Sequence, residues 1–237
     1  MKPALRWVLV TALLASALVV ALLPLTSGPR TSGPGTSGPG TSGPRASGFQ
    51  SSRTAAAQIS QPAQAAAEAP PSIEQLRSRA VLQPCPAAHP GAARGPLSGL
   101  VLPCLGQEGA VDVGAALAGR PALLNLWGPL CQPCAQELPA LAAYAAEPGA
   151  VTVLGVEVQG LPEGALDLLR ALNVHYPSVS DPDGRLRAAL SAPPVLPLTY
   201  LVSADGQVSQ LNPPEVLRSP QQVRAVVERY LGPGAAR

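Results

Sequence analysis

Asn125-Leu126-Trp127-Gly128-Pro129-Leu130-Cys131-Gln132-Pro133-Cys134 is the stretch on which the rest of the chain is organised. The apolar run from Ala122 to Trp127 predicts a buried strand. A Gly-Pro turn follows, and then two cysteines three residues apart. They open the segment Ala135 to Tyr144, whose pattern predicts a helix. A strand that feeds a Cys-x-x-Cys pair at a helix N-terminus has the geometry of a redox dithiol. The unpaired N–H groups there carry roughly half a positive charge, which stabilises a thiolate. Cys131 is expected as the exposed nucleophile. Cys134, one turn further in, is expected as the buried partner that resolves a mixed disulfide.

Outward from this stretch, composition sets bounds. The chain has 237 residues, 29 of them Pro and 23 Gly, and the early third does not read as globular. Aromatics make up only 3%, so the core must be built from Ala, Val and Leu. Net charge is +2 and no block of Lys and Arg stands among aromatics, which argues against a nucleic-acid partner. The cysteines are Cys85, Cys104, Cys131 and Cys134. An even number outside the cytosol favours disulfides, and four cysteines allow three pairings.

The N-terminus speaks to compartment. Lys2 and Arg6 precede Trp7 to Leu23, a run without charge. At ~1.5 Å per residue it barely crosses a ~30 Å hydrocarbon layer. Residues 1–25 are expected to be a signal-anchor segment, with the positive flank inside and the remainder extracytoplasmic. A cleaved signal with a secreted product is the second reading, and the residues after the apolar run match a small-x-small site poorly. Thr26 to Arg45 repeats Thr-Ser-Gly-Pro-x four times, and an Ala/Gln-rich stretch follows. Such a repeat cannot bury a core, so residues 26–71 are expected to be a disordered, low-complexity linker.

Residues 72–237 read as one folded domain with an N-terminal extension. Ser72 is expected to cap a short helix to Arg79. Cys85 and Cys104 then flank a Pro/Gly-rich segment. The favoured reading is a disulfide that staples the extension; a second dithiol relaying electrons and, last, a four-cysteine zinc site stay open. Leu100 to Leu102 reads as a short strand, and Val111 to Leu117 as a strand or helical turn. Val151 to Val158 predicts a parallel-type strand and Glu163 to Leu172 a helix. A turn at Asp181 to Gly184 leads to a short helix over Arg185 to Leu190. Leu198 to Val202 and Val208 to Leu211 are joined by an Asp205-Gly206 hairpin. Ser219 caps a final helix with Pro220 at its first position. The tally is β-α-β-α, a hairpin, then α: an α/β domain with a mixed sheet flanked by helices. His89 and His175 lie in Pro-flanked, loop-like segments and read as surface histidines.

These residues resemble the thioredoxin superfamily, in particular membrane-anchored thiol–disulfide oxidoreductases of the TlpA/ResA type. The resemblance rests on Asn125-Leu126-Trp127, on Cys131-Gln132-Pro133-Cys134 with Glu137-Leu138-Pro139, and on Val195-Leu196-Pro197-Leu198-Thr199-Tyr200 with Asp205-Gly206. It covers about Leu97 to Leu231. It implies a thioredoxin-like fold, a cis bond at Leu196-Pro197, and the backbone of Leu196 beside the active-site sulfurs. It assigns substrate contact to Leu196 and Trp127, with Trp127 more often platform and core than chemistry. Glu137 matches a family carboxylate that takes a proton from the buried cysteine; a plain helix-dipole role is the equal alternative. Leu130, Gly128-Pro129 and Val195 depart from the family pattern and alter the docking surface.

The resemblance implies no cofactor beyond a redox-active Cys131–Cys134 disulfide. Its partners would be protein thiols and disulfides and a membrane electron-transfer protein, and it leans towards a reductase, for example in cytochrome c maturation. A thiol oxidase for disulfide formation runs the same steps backwards. A peroxidase needs a hydroxyl three residues before its cysteine, where Gly128 stands. A redox-inert tethered binding module is the remaining reading.

Overall fold

A computed structural model describes residues 69–235. The anchor expected at 1–25 and nearly all of the linker expected at 26–71 lie outside these residues. No helix among the described residues is long and apolar enough to cross a membrane.

In chain order the elements are α1 (Ile73–Ala80), a 3-10 turn (Gly95–Leu97), β1 (Val101–Pro103), β2 (Ala110–Asp112), α2 (Val113–Leu117), β3 (Ala122–Trp127), α3 (Gln132–Ala145), β4 (Thr152–Glu157), α4 (Pro162–Ala171), β5 (Ser178–Ser180), α5 (Arg185–Ala189), β6 (Leu198–Val202), β7 (Val208–Gln210) and α6 (Pro220–Leu231). The main sheet has the order β5-β4-β3-β6-β7. β3 is parallel to β4 and antiparallel to β6, so the sheet is mixed. β1 and β2 form a separate antiparallel hairpin.

The alternation of side chains along β3 builds two cores. Leu123 and Trp127 face a layer made by α1, α3, α4 and α6, packed with Leu138, Leu141, Leu166 and Val227. Ala122, Leu124 and Leu126 face the other side, where Leu97, Val113, Leu117 and Leu186 cover the sheet. A strand buried on both faces needs the near-continuous apolar sequence that β3 and β4 have.

Local signals set the helix starts. Ser72 caps α1 in a reciprocal box with Gln75. Ser219 caps α6, with Pro220 at its first position. The segment Val111 to Leu117 divides, because the Asp112 side chain accepts from the Ala115 N–H and starts a helix where β2 ends. Cys85 and Cys104 are joined in a disulfide, and Cys104 bridges to Val179 on β5. The histidines read as surface residues are half-buried instead. The His175 ring lies against the carbonyls of Ala80 and Val81, at the C-terminal end of α1. That helix end leaves carbonyls without intrahelical partners, and the imidazole meets them.

Candidate active site

β3 delivers the dithiol. Its last residue, Trp127, is followed by the turn Gly128-Pro129-Leu130, and Cys131 is the N-cap of α3. The Cys134 N–H lies 3.2 Å from Cys131 Sγ, so the sulfur itself takes the cap position that an oxygen usually holds. This is why α3 begins at Gln132, before the expected Ala135. The two sulfurs form a disulfide. Cys131 is half-buried and Cys134 is fully buried.

β6 approaches the same end of the sheet from the opposite direction. Leu126 is the register partner of Leu198, so the preceding Pro197 stands level with Trp127. The Leu196–Pro197 peptide bond is cis. Leu196 is half-buried and packs against the cluster that holds Cys131 and Cys134. The chain thus brings together Cys131, Cys134, Leu196 and Pro197 from two strand ends. Trp127 needs correction as a substrate contact. It is wholly buried, because its strand position points the indole into the core under α3. It supports the motif from beneath and cannot meet a partner.

Glu137 lies one turn beyond Cys134 and is also fully buried. Its carboxylate accepts from Asn125 Nδ2 at 2.7 Å and from the Leu217 N–H at 3.0 Å. Burial pushes its pKa from an ordinary 4.5 to about 7, against the lowering effect of these donors. Asn125 and Thr199 are cross-strand partners on the same sheet face, and Asn125 Oδ1 and Thr199 Oγ1 have no protein partner. Tyr176 lies close by, and burial followed by the Glu137 charge holds its phenol well above the ordinary range. A carboxyl group that titrates near neutrality, one turn from a buried sulfur, can take up and release a proton there.

Cys85 and Cys104 lie apart from this centre. Cys104 bridges to β5, at the sheet edge two strands removed from β3. The residues missed from sequence are the ones that hold Glu137. Asn125 carried a signal, since a polar residue within Leu-Leu-Asn-Leu-Trp must be buried and needs a partner. Leu217 carried none, because it contributes a backbone N–H.

Fold and site together define a class: a thioredoxin-like domain carrying the dithiol of a thiol–disulfide oxidoreductase. Residues 102–211 match the AhpC/TSA family. Among curated relatives, the soluble secreted antigen MPT53 of Mycobacterium tuberculosis is 30% identical over 116 residues, which cover 49% of this chain and 66% of that protein. The thiol-disulfide oxidoreductase ResA of Bacillus subtilis is 30% identical over 94 residues, 39% of this chain and 52% of ResA. The match therefore spans less than two thirds of either relative. Among solved structures, a secreted Mycobacterium tuberculosis disulfide oxidoreductase homologous to E. coli DsbE aligns with a TM-score of 0.50 and 28% identity, over 56% of this chain and 97% of that one.

Proposed function

We propose that this protein exchanges disulfides with protein thiols through Cys131 and Cys134, working as a reductase on the extracytoplasmic side of a membrane. The observation that carries the reading is the half-buried Cys131 sulfur at the tip of α3, bonded to Cys134, with Glu137 buried one turn beyond. In the reduced protein, the Cys131 thiolate attacks one sulfur of a substrate disulfide and the other leaves as thiolate. Glu137, as carboxylate, takes the proton of the Cys134 thiol. Cys134 then attacks Cys131 Sγ, the second substrate thiolate leaves, and the Cys131–Cys134 disulfide results. Two electrons have passed to the substrate. A dithiol donor must return them, and a membrane electron-transfer protein is the donor we propose. No cofactor beyond the cysteine pair enters these steps.

Asn125 and the Leu217 N–H position the Glu137 carboxylate. Pro197 lines the approach to Cys131, and Leu196 offers the partner its backbone. The substrate class of this reading is apocytochrome cysteines awaiting haem attachment, as the TlpA/ResA resemblance of the sequence implies. Residues 1–25 would anchor the chain and residues 26–71 would space the domain from the membrane.

The test is a Cys134→Ala chain expressed in its full length. Trapped partners, linked through Cys131 and released by reductant, are expected in the membrane fraction. Reduced partners in the wild type and oxidised ones in a deletion strain would fix the direction as reduction. A wild-type pair that neither dithiothreitol nor oxidised glutathione alters would overturn the reading.

A further inference from the structure

Glu137 is held from two sides, by Asn125 on the sheet and by the Leu217 N–H before α6. A carboxyl that changes protonation near neutrality while wholly buried needs a conduit to water. The sheet beneath it carries the parts of one. Thr199, Asn125, Gly155 and Ser178 are register partners in turn across β6, β3, β4 and β5, so their positions share one face. Elsewhere that face is apolar, with Leu123, Val153 and Leu201. Among the described residues, six buried side-chain nitrogens and oxygens lack a hydrogen-bond partner. Four of them, Asn125 Oδ1, Thr199 Oγ1, Trp127 Nε1 and Tyr176 Oη, belong to this row or stand beside it.

Tyr176 reaches the row from the segment before β5. A Cβ on Gly155 would lie 3.1 Å from Tyr176 Cε2 and 3.1 Å from Trp127 Nε1, so the ring carbon next to the phenol C–O bond stands over the glycine. Gly155 is one strand from Asn125, ~4.8 Å away, and Asn125 holds Glu137. The same tyrosine lines a groove of about 500 Å³ with Pro139, Ala142, Ala143 and His175, beside α3. At the other end of the row, Thr199 stops against the buried Leu211, whose N–H donates to the Thr199 carbonyl. Of the four unpartnered groups, Tyr176 alone lines this groove.

We infer that Tyr176 is the proton port of Glu137, the group through which the sealed carboxyl exchanges protons with water in the groove. The inference deepens the disulfide-exchange reading and rests on it. Tyr176 acts through Glu137 and not on the sulfurs. On the way out, the phenol oxygen takes a proton arriving from the Glu137 side through internal water, and its own proton leaves to the groove. The way in reverses both transfers. One proton enters and one leaves, so no charge rests on the ring. Burial and then the Glu137 charge hold the phenol well above its ordinary range, which rules out a standing phenolate. A hydroxyl both donates and accepts, as such a transfer requires. An internal water needs two to four polar partners, and the unpartnered atoms of the row supply them. The port resets Glu137 to carboxylate before the next mixed disulfide forms. Without it, the reset waits on opening of the segment before α6.

A laser-driven pH jump tests this on the oxidised, full-length protein. A caged acid releases protons, and the infrared band of the protonated Glu137 carboxyl, identified by its loss in Glu137→Gln, reports their uptake. In Tyr176→Phe uptake should slow by on the order of a hundredfold while the full amplitude is still reached. This variant should fold, because its missing hydroxyl leaves no protein partner behind. Thr199→Val removes another unpartnered hydroxyl from the same row, away from the groove, and should leave the rate unchanged. Equal rates in the wild type and Tyr176→Phe, or an equal slowing in Thr199→Val, would overturn the port. So would a Tyr176→Phe chain that does not fold, since the hydroxyl would then be structural. Exchange of the Cys131–Cys134 pair with dithiothreitol is followed in the same samples. Exchange with no Tyr176 effect removes the port alone, whereas a wild-type pair that does not exchange removes the oxidoreductase reading as well.

Discussion

The Leu217 backbone N–H lies 3.0 Å from Oε1 of Glu137, a residue eighty positions earlier. Through this bond the segment before α6 closes over the active-site helix and seals the carboxylate from water. Arg218 repeats the link on the surface, donating to Gln136. The setting of the Glu137 carboxylate therefore depends on a segment that is remote in sequence.

The buried Glu137 makes stability fall as pH rises. Its folded-state pKa of about 7 lies above the ordinary 4.5, so between those values the folded chain holds a proton that the unfolded chain has lost. Stability is full below about 4.5, declines through the interval and levels off above about 7. The expected loss is about 3 kcal/mol. Glu137→Gln should flatten the profile in denaturant titrations at pH 5 and 8. The variant should fold, because rotating the Asn125 amide lets the unpartnered Oδ1 accept from the new Gln amide.

The same substitution should slow resolution. Without a carboxylate to receive the Cys134 proton, the mixed disulfide on Cys131 should persist about a hundredfold longer. Rapid-quench trapping of the adduct reads this directly. The first attack, made by Cys131, should change far less.

Asn125→Leu should destabilise by about 1–3 kcal/mol, since one Glu137 oxygen would lose its donor in a dry site. The Glu137 pKa should rise further, because a donor to the charged form is gone. Carbon-detected NMR of the carboxyl group measures that shift.

Gly155 has no room for a methyl. A Cβ there would lie 2.5 Å from Ser178 Oγ and 3.1 Å from Trp127 Nε1. Gly155→Ala should cost about 1–3 kcal/mol and disturb the floor under the dithiol. Thermal unfolding and exchange rate should both report it.

Replacing Cys85 and Cys104 together by Ser should cost about 3 kcal/mol, the chain-entropy value for a loop of this length. Exchange at Cys131 should survive in folded material, since the second disulfide sits two strands from β3.

Much of this architecture was legible in the sequence because the signals are local. The apolar run Ala122 to Trp127, the cysteine spacing, the Asp205-Gly206 turn and the Ser219-Pro220 helix start each fix structure within a few residues. The turn at Gly95–Leu97 escaped, and the reading of Val111 to Leu117 as a strand or helical turn left the break at Asp112 unplaced, since so few residues carry no periodicity. The resemblance offered Trp127 as a contact beside its reading as platform and core, and its strand position settles it in the core. The setting of Glu137 was hidden for a deeper reason. Asn125, Thr199 and Leu217 converge on it only once register and the path before α6 are known.

Cys104 and Leu105 do more than end a short hairpin. Leu105 donates to the Ser178 carbonyl and Cys104 bridges to Val179, so the outer side of β5 is already occupied. The opposite margin, β7, offers only Val208–Gln210. Neither border gives a neighbouring molecule a long row of free amides to zip onto. The domain is thereby guarded against growing into fibrils edge to edge.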